Sequence, residues 1–268
     1  MGAHQIAAGL AERGWNARPL YGREVGRVRG AILVFIKTSR LDHLLFAKAR
    51  GNRLVLDVHD TIVFKRRLKN RWLFDALIVK NRRQLADLAR SGRPDRLIYH
   101  QWDPRYAPHR APADRMVLGY LGDRRSLDLW DQLPDVECVS EGFFPAAKRF
   151  NCHLSLRRPG REFLYKPNCK ISTAAACDAN ILTTRDVSAV EMLGEDYPYY
   201  TEPDRASVLA AIARLRASFG SPEWRRGLER LREIRELTRI ERVLEEYESL
   251  FAALSDRPRA GRHRDIEP

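Results

Sequence analysis

The feature that most constrains this chain is an alternation of short, nearly continuous apolar runs with segments of helical periodicity. Apolar runs at 30–37, 53–60, 75–81 and 95–100 are rich in Ile, Leu and Val. Strands that are apolar along their whole length are typical of a parallel sheet that helices cover on both faces. The first hundred residues therefore predict a doubly wound α/β domain.

The same alternation begins again after a break at 103–114, where three prolines mark a crossing between domains. Strands are then predicted at 115–122, 136–139, 152–156 and 180–184. A long amphipathic helix begins at Ser221-Pro222, reaches about residue 254 and is kinked near Thr238. The sequence thus predicts domains at 1–105 and 106–235 and a disordered tail at 256–268.

Charge and composition narrow the function classes. The chain has 48 Lys and Arg against 35 Asp and Glu, a net charge of +13. Nucleic acid, an anionic membrane surface or a phosphorylated substrate would each match this charge, and so would a merely arginine-rich composition. The four cysteines form no C-x-x-C pair, which disfavours structural zinc. With no apolar run near the length of a membrane span, we expect a soluble, cytoplasmic protein.

Two lysines stand where a helix is predicted to begin. Lys166 precedes the helix at 168–177, and Lys170 lies in its first turn. Cations at a helix N-terminus oppose the helix dipole, so stability alone does not favour them there. A phosphate or diphosphate bound at that end would explain both, whereas the alternative is two solvated lysines.

One stretch of the sequence is distinctive. It reads Lys166-Pro-Asn-Cys-Lys-Ile-Ser-Thr-Ala-Ala-Ala-Cys-Asp-Ala-Asn-Ile-Leu-Thr-Thr184 and continues as Asp186-Val-Ser-Ala-Val-Glu-Met-Leu193. This stretch resembles the donor-binding segment of glycosyltransferases of the GT-B fold. The resemblance extends to the helix at 3–14, to Leu56-Asp-Val-His-Asp60 and to the strand and turn at 117–122. It implies two Rossmann-like domains and a terminal helix, 236–255, that returns to the first domain.

The resemblance also implies an activity, which is the transfer of a hexose from a UDP- or GDP-sugar to a glycan, lipid or small-molecule acceptor, as in polysaccharide biosynthesis. Members of this family generally use no metal or other cofactor. The chain departs from the pattern at Tyr165 and Thr173, where many retaining members carry glutamates. It also begins almost directly with the first helix, so the family's first strand and its glycine loop are expected to be missing, as in an N-terminally truncated enzyme.

By position in the family, Lys166 and Lys170 would neutralise the diphosphate, and Ser172 or Thr173 would bond phosphate or ribose. Arg157 could add a bidentate phosphate contact, or form an ordinary surface ion pair. The turn from Gly119 to Gly122 could approach the phosphate through backbone N–H groups.

His59 is the candidate general base, because it follows a predicted strand at the end where α/β clefts form. Asp57 and Asp60 flank it, and strand alternation places Asp57 on the same face as His59. We assign the catalytic role to His59 and Asp60. The alternative is a histidine that is merely hydrogen-bonded at the end of a strand.

Three functional hypotheses stay open on the sequence. The first is a glycosyltransferase in the cytoplasm, with peripheral contact to the anionic inner face of the membrane. The second is a catalytically degenerate, glycosyltransferase-like binding protein, which the missing strand and the missing glutamates favour. The third is a nucleic-acid-binding protein, which only the net charge suggests, and no nucleic-acid-binding motif is present in the sequence.

Overall fold

A computed structural model describes residues 2–36, 40–59, 68–106, 114–123, 127, 133, 136–167 and 169–256. Asp60, residues 107–113 of the predicted crossing and the tail beyond 256 lie outside these ranges. The described chain forms two compact units, and each unit contains its own parallel sheet. The predicted fold class, α/β with two Rossmann-like domains, is thereby confirmed.

The first unit comprises the described residues of 2–80, 84–98 and 244–256. Its four parallel strands are adjacent in sequence order, with the first at one edge of the sheet. Its helices and strands are α1 (Gly2–Glu12), β1 (Ile32–Ile36), α2 (Leu41–Ala49), β2 (Arg53–Asp57), β3 (Ala76–Val79), α3 (Arg82–Leu88) and β4 (Arg96–Leu97). The central strands β2 and β3 are almost entirely buried, which explains their unbroken apolar sequence.

The second unit comprises the described residues of 81–83 and 99–243. Its elements are β5 (Leu118–Leu121), β6 (Glu137–Val139), α4 (Phe143–Ala147), β7 (Cys152–Ser155), α5 (Arg161–Tyr165), α6 (Cys169–Ala176), β8 (Asn180–Thr184), α7 (Val187–Leu193), β9 (Tyr200–Thr201) and α8 (Arg205–Ala217). The five strands are parallel and follow the order β6-β5-β7-β8-β9 in the sheet. The short elements α4, α5 and β9 were not predicted, because segments of two to five residues carry too little periodicity.

The long C-terminal segment forms two helices, α9 (Pro222–Leu237) and α10 (Ile240–Ser255), which meet where the kink was predicted. Thr238 lies at the break, and its hydroxyl donates to the carbonyl of Ile234 at 2.7 Å. Trp102 donates its backbone N–H to the Thr238 carbonyl and its indole N–H to the Arg235 carbonyl. The Arg235 carbonyl, in the last turn of α9, is therefore satisfied by the Trp102 indole rather than by a further helical turn.

Residues 81–83 belong to the second unit, and the chain then passes from the first unit to the second between 98 and 99 and back between 243 and 244. The domain bounds 1–105 and 106–235 stay a prediction. Most of α10 belongs to the first unit, where Arg13 and Trp15 both donate to the carboxylate of Glu248. Leu244 packs on α1 so closely that a Cβ on Gly9 would lie 2.5 Å from it.

Candidate functional site

Three cationic side chains come together in the second unit, at the start of α6. Arg157 follows β7, Lys166 lies between α5 and α6, and Lys170 lies in the first turn of α6. Arg157 and Lys166 both lie close enough to Lys170 to lower its pKa through their positive charge. We call these three residues the basic cluster.

Arg157 holds the backbone that leads into α6. Its guanidinium donates to the carbonyls of Lys166 at 3.3 Å and Pro167 at 2.9 Å, and it lies 3.2 Å from a carboxylate oxygen of Asp186. Asp186 in turn caps α7 by accepting from the backbone N–H of Ala189. This ion pair is largely buried, whereas the sequence-based alternative to a phosphate contact from Arg157 was an ordinary ion pair at the surface. Arg157 therefore braces the basic cluster, and a phosphate contact from it stays a prediction.

Lys170 is a mostly buried cation. Its ammonium lies 3.6 Å from the centre of the Tyr120 ring, and no described carboxylate forms an ion pair with it. Burial, followed by the positive charges of Arg157 and Lys166, lowers the pKa of Lys170 to about 7. A bound anion at this point would restore the full charge of the lysine, since an opposite charge favours the protonated form.

The two predicted hydroxyl ligands already have partners in the protein. The Ser172 hydroxyl is buried and donates to the carbonyl of His100 at 3.0 Å. The Thr173 hydroxyl donates to the carbonyl of Cys169, one turn earlier in α6, also at 3.0 Å. Both hydroxyl protons are thus used within the protein, and each group could meet a phosphate or ribose only as an acceptor or after rotating.

The glycines of the predicted phosphate turn serve the second unit's sheet. A Cβ on Gly119 would lie 2.1 Å from the Phe150 ring, so this position in β5 has no room for a side chain. The N–H of Gly122 donates to the carbonyl of Val139 at 2.9 Å and is not available to a phosphate in this arrangement. Its φ of +154° is one that residues with side chains rarely adopt. Packing and strand pairing therefore account for both glycines, and their role in phosphate binding stays a prediction.

In the first unit, a buried carboxylate lies beside the predicted general base. Asp57 ends β2, and its carboxylate lies 3.5 Å from Nε2 of His59. Lys80, just after β3, lies 2.9 Å from one oxygen of Asp57 and 3.1 Å from the other. Tyr247 of α10 donates its hydroxyl to the same carboxylate at 2.9 Å. We call these four residues the Asp57 cluster.

The charges of the Asp57 cluster are fixed by their surroundings. Burial alone would raise the pKa of Asp57, but the charge of Lys80, with that of His59 and hydrogen bonds from both, holds it well below its ordinary value. Burial, reinforced by the Asp57 carboxylate, raises the pKa of Tyr247 well above its ordinary value. Asp57 is therefore an anion and Tyr247 a neutral hydrogen-bond donor near pH 7.

Sequence analysis found only part of these two groupings. It placed Asp57 beside His59, but it missed Lys80, Tyr247 and Tyr120. Lys80 carries a usable signal, since a charged residue directly after an apolar parallel strand lies at the same sheet edge as the end of the neighbouring strand. Tyr247 carries none, because it looks like one more aromatic residue in the apolar stripe of a helix.

No group of three or more His, Cys, Asp or Glu side chains in the described ranges could hold a metal ion. Among the helices that the structure describes, none combines the length and the apolar composition needed to cross a membrane.

Comparison with solved structures identifies the architecture. A glycosyltransferase from Rickettsia africae ESF-5 matches 96% of this chain and 82% of its own chain, with a TM-score of 0.63 and 10% identity. The chain has the GT-B fold. Anabaena HepE in complex with UDP matches 86% of this chain and 80% of its own, with a TM-score of 0.60 and 9% identity. A trehalose-6-phosphate synthase studied with bisubstrate glycomimetics matches 82% and 73%, with a TM-score of 0.58 and 12% identity.

The sequence itself gives no closer match. No protein-family model and no curated protein matches this GT-B chain. At 9–12% sequence identity, these solved structures establish the fold alone.

Proposed function

We propose that this GT-B chain is a glycosyltransferase that takes a sugar from a nucleotide-sugar donor, with the diphosphate bound at the basic cluster. The observation that carries the proposal is Lys170, a mostly buried lysine without an ion-pair partner among the described residues. Keeping such a cation out of water is costly unless an anion joins it. A diphosphate brings about two negative charges, which Lys166 and a protonated Lys170 can compensate, whereas Arg157 is already paired with Asp186.

The comparisons support a nucleotide sugar as the source of that diphosphate. HepE was solved with UDP and with UDP-glucose, and the pneumococcal O-GlcNAc transferase GtfA with UDP and GlcNAc. We extend UDP or a UDP-sugar to this chain as the first ligand to test, with GDP-sugars as the second. The acceptor class is a glycan, a lipid or a small molecule that bears a hydroxyl group.

The proposed chemistry assigns a role to each grouping. The acceptor oxygen forms a bond to the anomeric carbon of the sugar, while the bond from that carbon to the diphosphate oxygen breaks. His59 receives the proton of the acceptor hydroxyl. The basic cluster stabilises the charge that develops on the departing diphosphate, as preorganised cations do in other transferases. No metal ion is required in this scheme, because side chains supply the compensating charge.

Calorimetry with the full chain tests the donor site directly. UDP, UDP-glucose and a GDP-sugar are titrated into the parent chain, Lys166→Ala and Lys170→Ala, with Lys148→Ala as a matched control, since Lys148 is exposed on the same unit. Binding by the parent and control, with affinity lowered in both cluster variants, supports the proposal. Equal affinity in all four chains would reject the basic cluster as the site.

Turnover distinguishes an enzyme from a binding protein. Release of UDP from UDP-glucose, followed over time in the presence of candidate hydroxyl acceptors, should be lost in His59→Gln while donor binding persists. Binding by the parent chain without any release of UDP would favour the degenerate, glycosyltransferase-like binding protein instead.

A further inference from the structure

In the Asp57 cluster, three side chains are buried and the fourth, that of His59, reaches solvent. Asp57, Lys80 and Tyr247 are each at most 4% exposed. The side chain of His59 is 13% exposed. One oxygen of Asp57, Oδ2, is shared by the hydroxyl of Tyr247, the ammonium of Lys80 and the Nε2 atom of His59. Tyr247 and Lys80 therefore both hold the carboxylate oxygen that lies beside the His59 imidazole.

Stability alone is a weak reason for this arrangement. Burying a carboxylate and an ammonium costs several kcal/mol per ion, and hydrophobic replacements are often equally stable or more so. A buried tyrosine hydroxyl that adds a third partner to the same carboxylate does not change that balance. What the network does achieve is a fixed orientation for the Asp57 carboxylate, since Oδ2 accepts hydrogen bonds from Lys80 and Tyr247 and Oδ1 lies 2.9 Å from the Lys80 ammonium without a hydrogen bond of its own.

We propose that Lys80 and Tyr247 are positioning residues for His59 and that they act through the Asp57 carboxylate. The fixed carboxylate holds Nε2 of the imidazole as its hydrogen-bond donor, so the ring keeps one tautomer and one orientation. This inference rests on the proposed function, because a positioned base is needed only if a proton is removed from an acceptor.

The charges in the cluster set the direction of each effect. Asp57 on β2 contacts His59, and Lys80 after β3 and Tyr247 on α10 contact the Asp57 carboxylate, whereas the adjacent Asp60 lies outside the described residues. The carboxylate favours the protonated imidazole, and Lys80 and Tyr247 moderate this effect by neutralising part of the carboxylate's charge. Removing the carboxylate's charge should therefore lower the midpoint of the His59 titration, and removing a moderating partner should raise it.

Nitrogen-15 NMR of the histidine rings in the full chain tests the inference without any nucleotide sugar. The chain has seven histidines, and His59→Gln assigns the signal of interest by its loss. In Asp57→Asn the protonation equilibrium of His59 should shift about tenfold toward the neutral ring, which is about one pH unit. In Tyr247→Phe it should shift severalfold toward the protonated ring, with the Nε2–H tautomer less strongly preferred.

Tyr197→Phe is the matched control, because it removes a buried tyrosine hydroxyl from the second unit. Tyr197→Phe should leave the His59 signal unchanged. None of the Asp57, Tyr247 and Tyr197 variants should shift the signals of the other six histidines. If Asp57→Asn fails to fold, Tyr247→Phe decides the matter, since it keeps the ring and its packing. An unchanged titration midpoint and tautomer of His59 in Tyr247→Phe would overturn the inference, even if calorimetry confirmed UDP binding. Absence of UDP binding with the shifts present would instead overturn the proposed function.

Discussion

Replacing Lys170 by methionine should have opposite effects on ligand binding and on folding. Methionine keeps most of the volume of the side chain and removes its charge. In the folded chain, the pKa of Lys170 falls from an ordinary 10.5 to about 7, first because of burial and then because of Arg157 and Lys166. The two effects of the substitution follow from this single shift.

Binding should weaken. A charge-assisted contact contributes about 1.5–3 kcal/mol net, so Lys170→Met should lower the affinity for UDP roughly tenfold to a hundredfold. In the parent chain the neutral lysine has to gain a proton when the diphosphate arrives. The affinity should therefore fall as the pH rises above 7, by up to about tenfold per pH unit.

Stability should increase, and the sign follows from proton counting. Between pH 7 and 10.5 the unfolded chain holds a proton on Lys170 that the folded chain has lost, so the parent becomes more stable as the pH rises through this window. Below pH 7 the folded parent bears the full cost of a buried charge, which the shift in pKa from 10.5 to about 7 puts at up to ~5 kcal/mol. Lys170→Met removes that cost, so its gain is largest near pH 6 and is mostly lost by pH 10.

Calorimetry with UDP between pH 6 and 9 and urea unfolding at pH 6 and 10 measure both effects, with Lys148→Met as the control for loss of one surface charge. Parallel results for the two variants, or a parent affinity that does not change with pH, would refute the argument that Lys170 is a partly neutral, ligand-directed lysine.

Other substitutions test the packing around the basic cluster. Gly119→Ala should destabilise the second unit by about 1–3 kcal/mol in urea unfolding, because its Cβ would lie 2.1 Å from the Phe150 ring; an unchanged midpoint would show that the ring moves aside freely. Arg157→Met should cost about 3–5 kcal/mol at pH 7, since it leaves the Asp186 carboxylate buried without its cation. Burial already raises the pKa of Asp186 despite the nearby Arg157. The loss of unfolding free energy in Arg157→Met should therefore shrink as the pH falls and the Asp186 carboxyl gains a proton. A loss that stays constant from pH 7 to pH 4 would contradict this account. Trp102→Phe should cost about 1 kcal/mol in unfolding free energy through the lost indole hydrogen bond to α9, and an equal stability would assign that end of α9 to solvent.

The strands were predictable because they are buried on both faces. The run Asn180–Thr184 was predicted with its observed ends, and β2 and β3 were found from their unbroken apolar sequence. Strand alternation also placed Asp57 on the His59 face, and the two side chains do meet. Local periodicity is a sufficient guide where a segment's environment is uniform along its length.

Long-range contacts were not predictable from one sequence. Gly119 looked like part of a phosphate turn, and only the structure shows the Phe150 ring against it. Ser172 looked like a phosphate ligand in a helix of small residues, but its hydroxyl reaches the carbonyl of His100, 72 positions earlier. Small polar residues and glycines serve packing and ligands equally well, so pattern alone does not separate these roles.

The hydrogen bond from Tyr247 to Asp57 joins residues that are 190 positions apart, and the first unit takes its last helix from the end of the described chain. A ribosome makes the chain starting from its N-terminus, so the entire second unit is synthesised before Tyr247. During that interval the sheet that carries Asp57 and Lys80 is without the helix that covers their ion pair. The first unit is therefore completed only after α10 has been synthesised. A stop codon shortly before residue 244 would thus spare the basic cluster and deprive the Asp57 cluster of its cover.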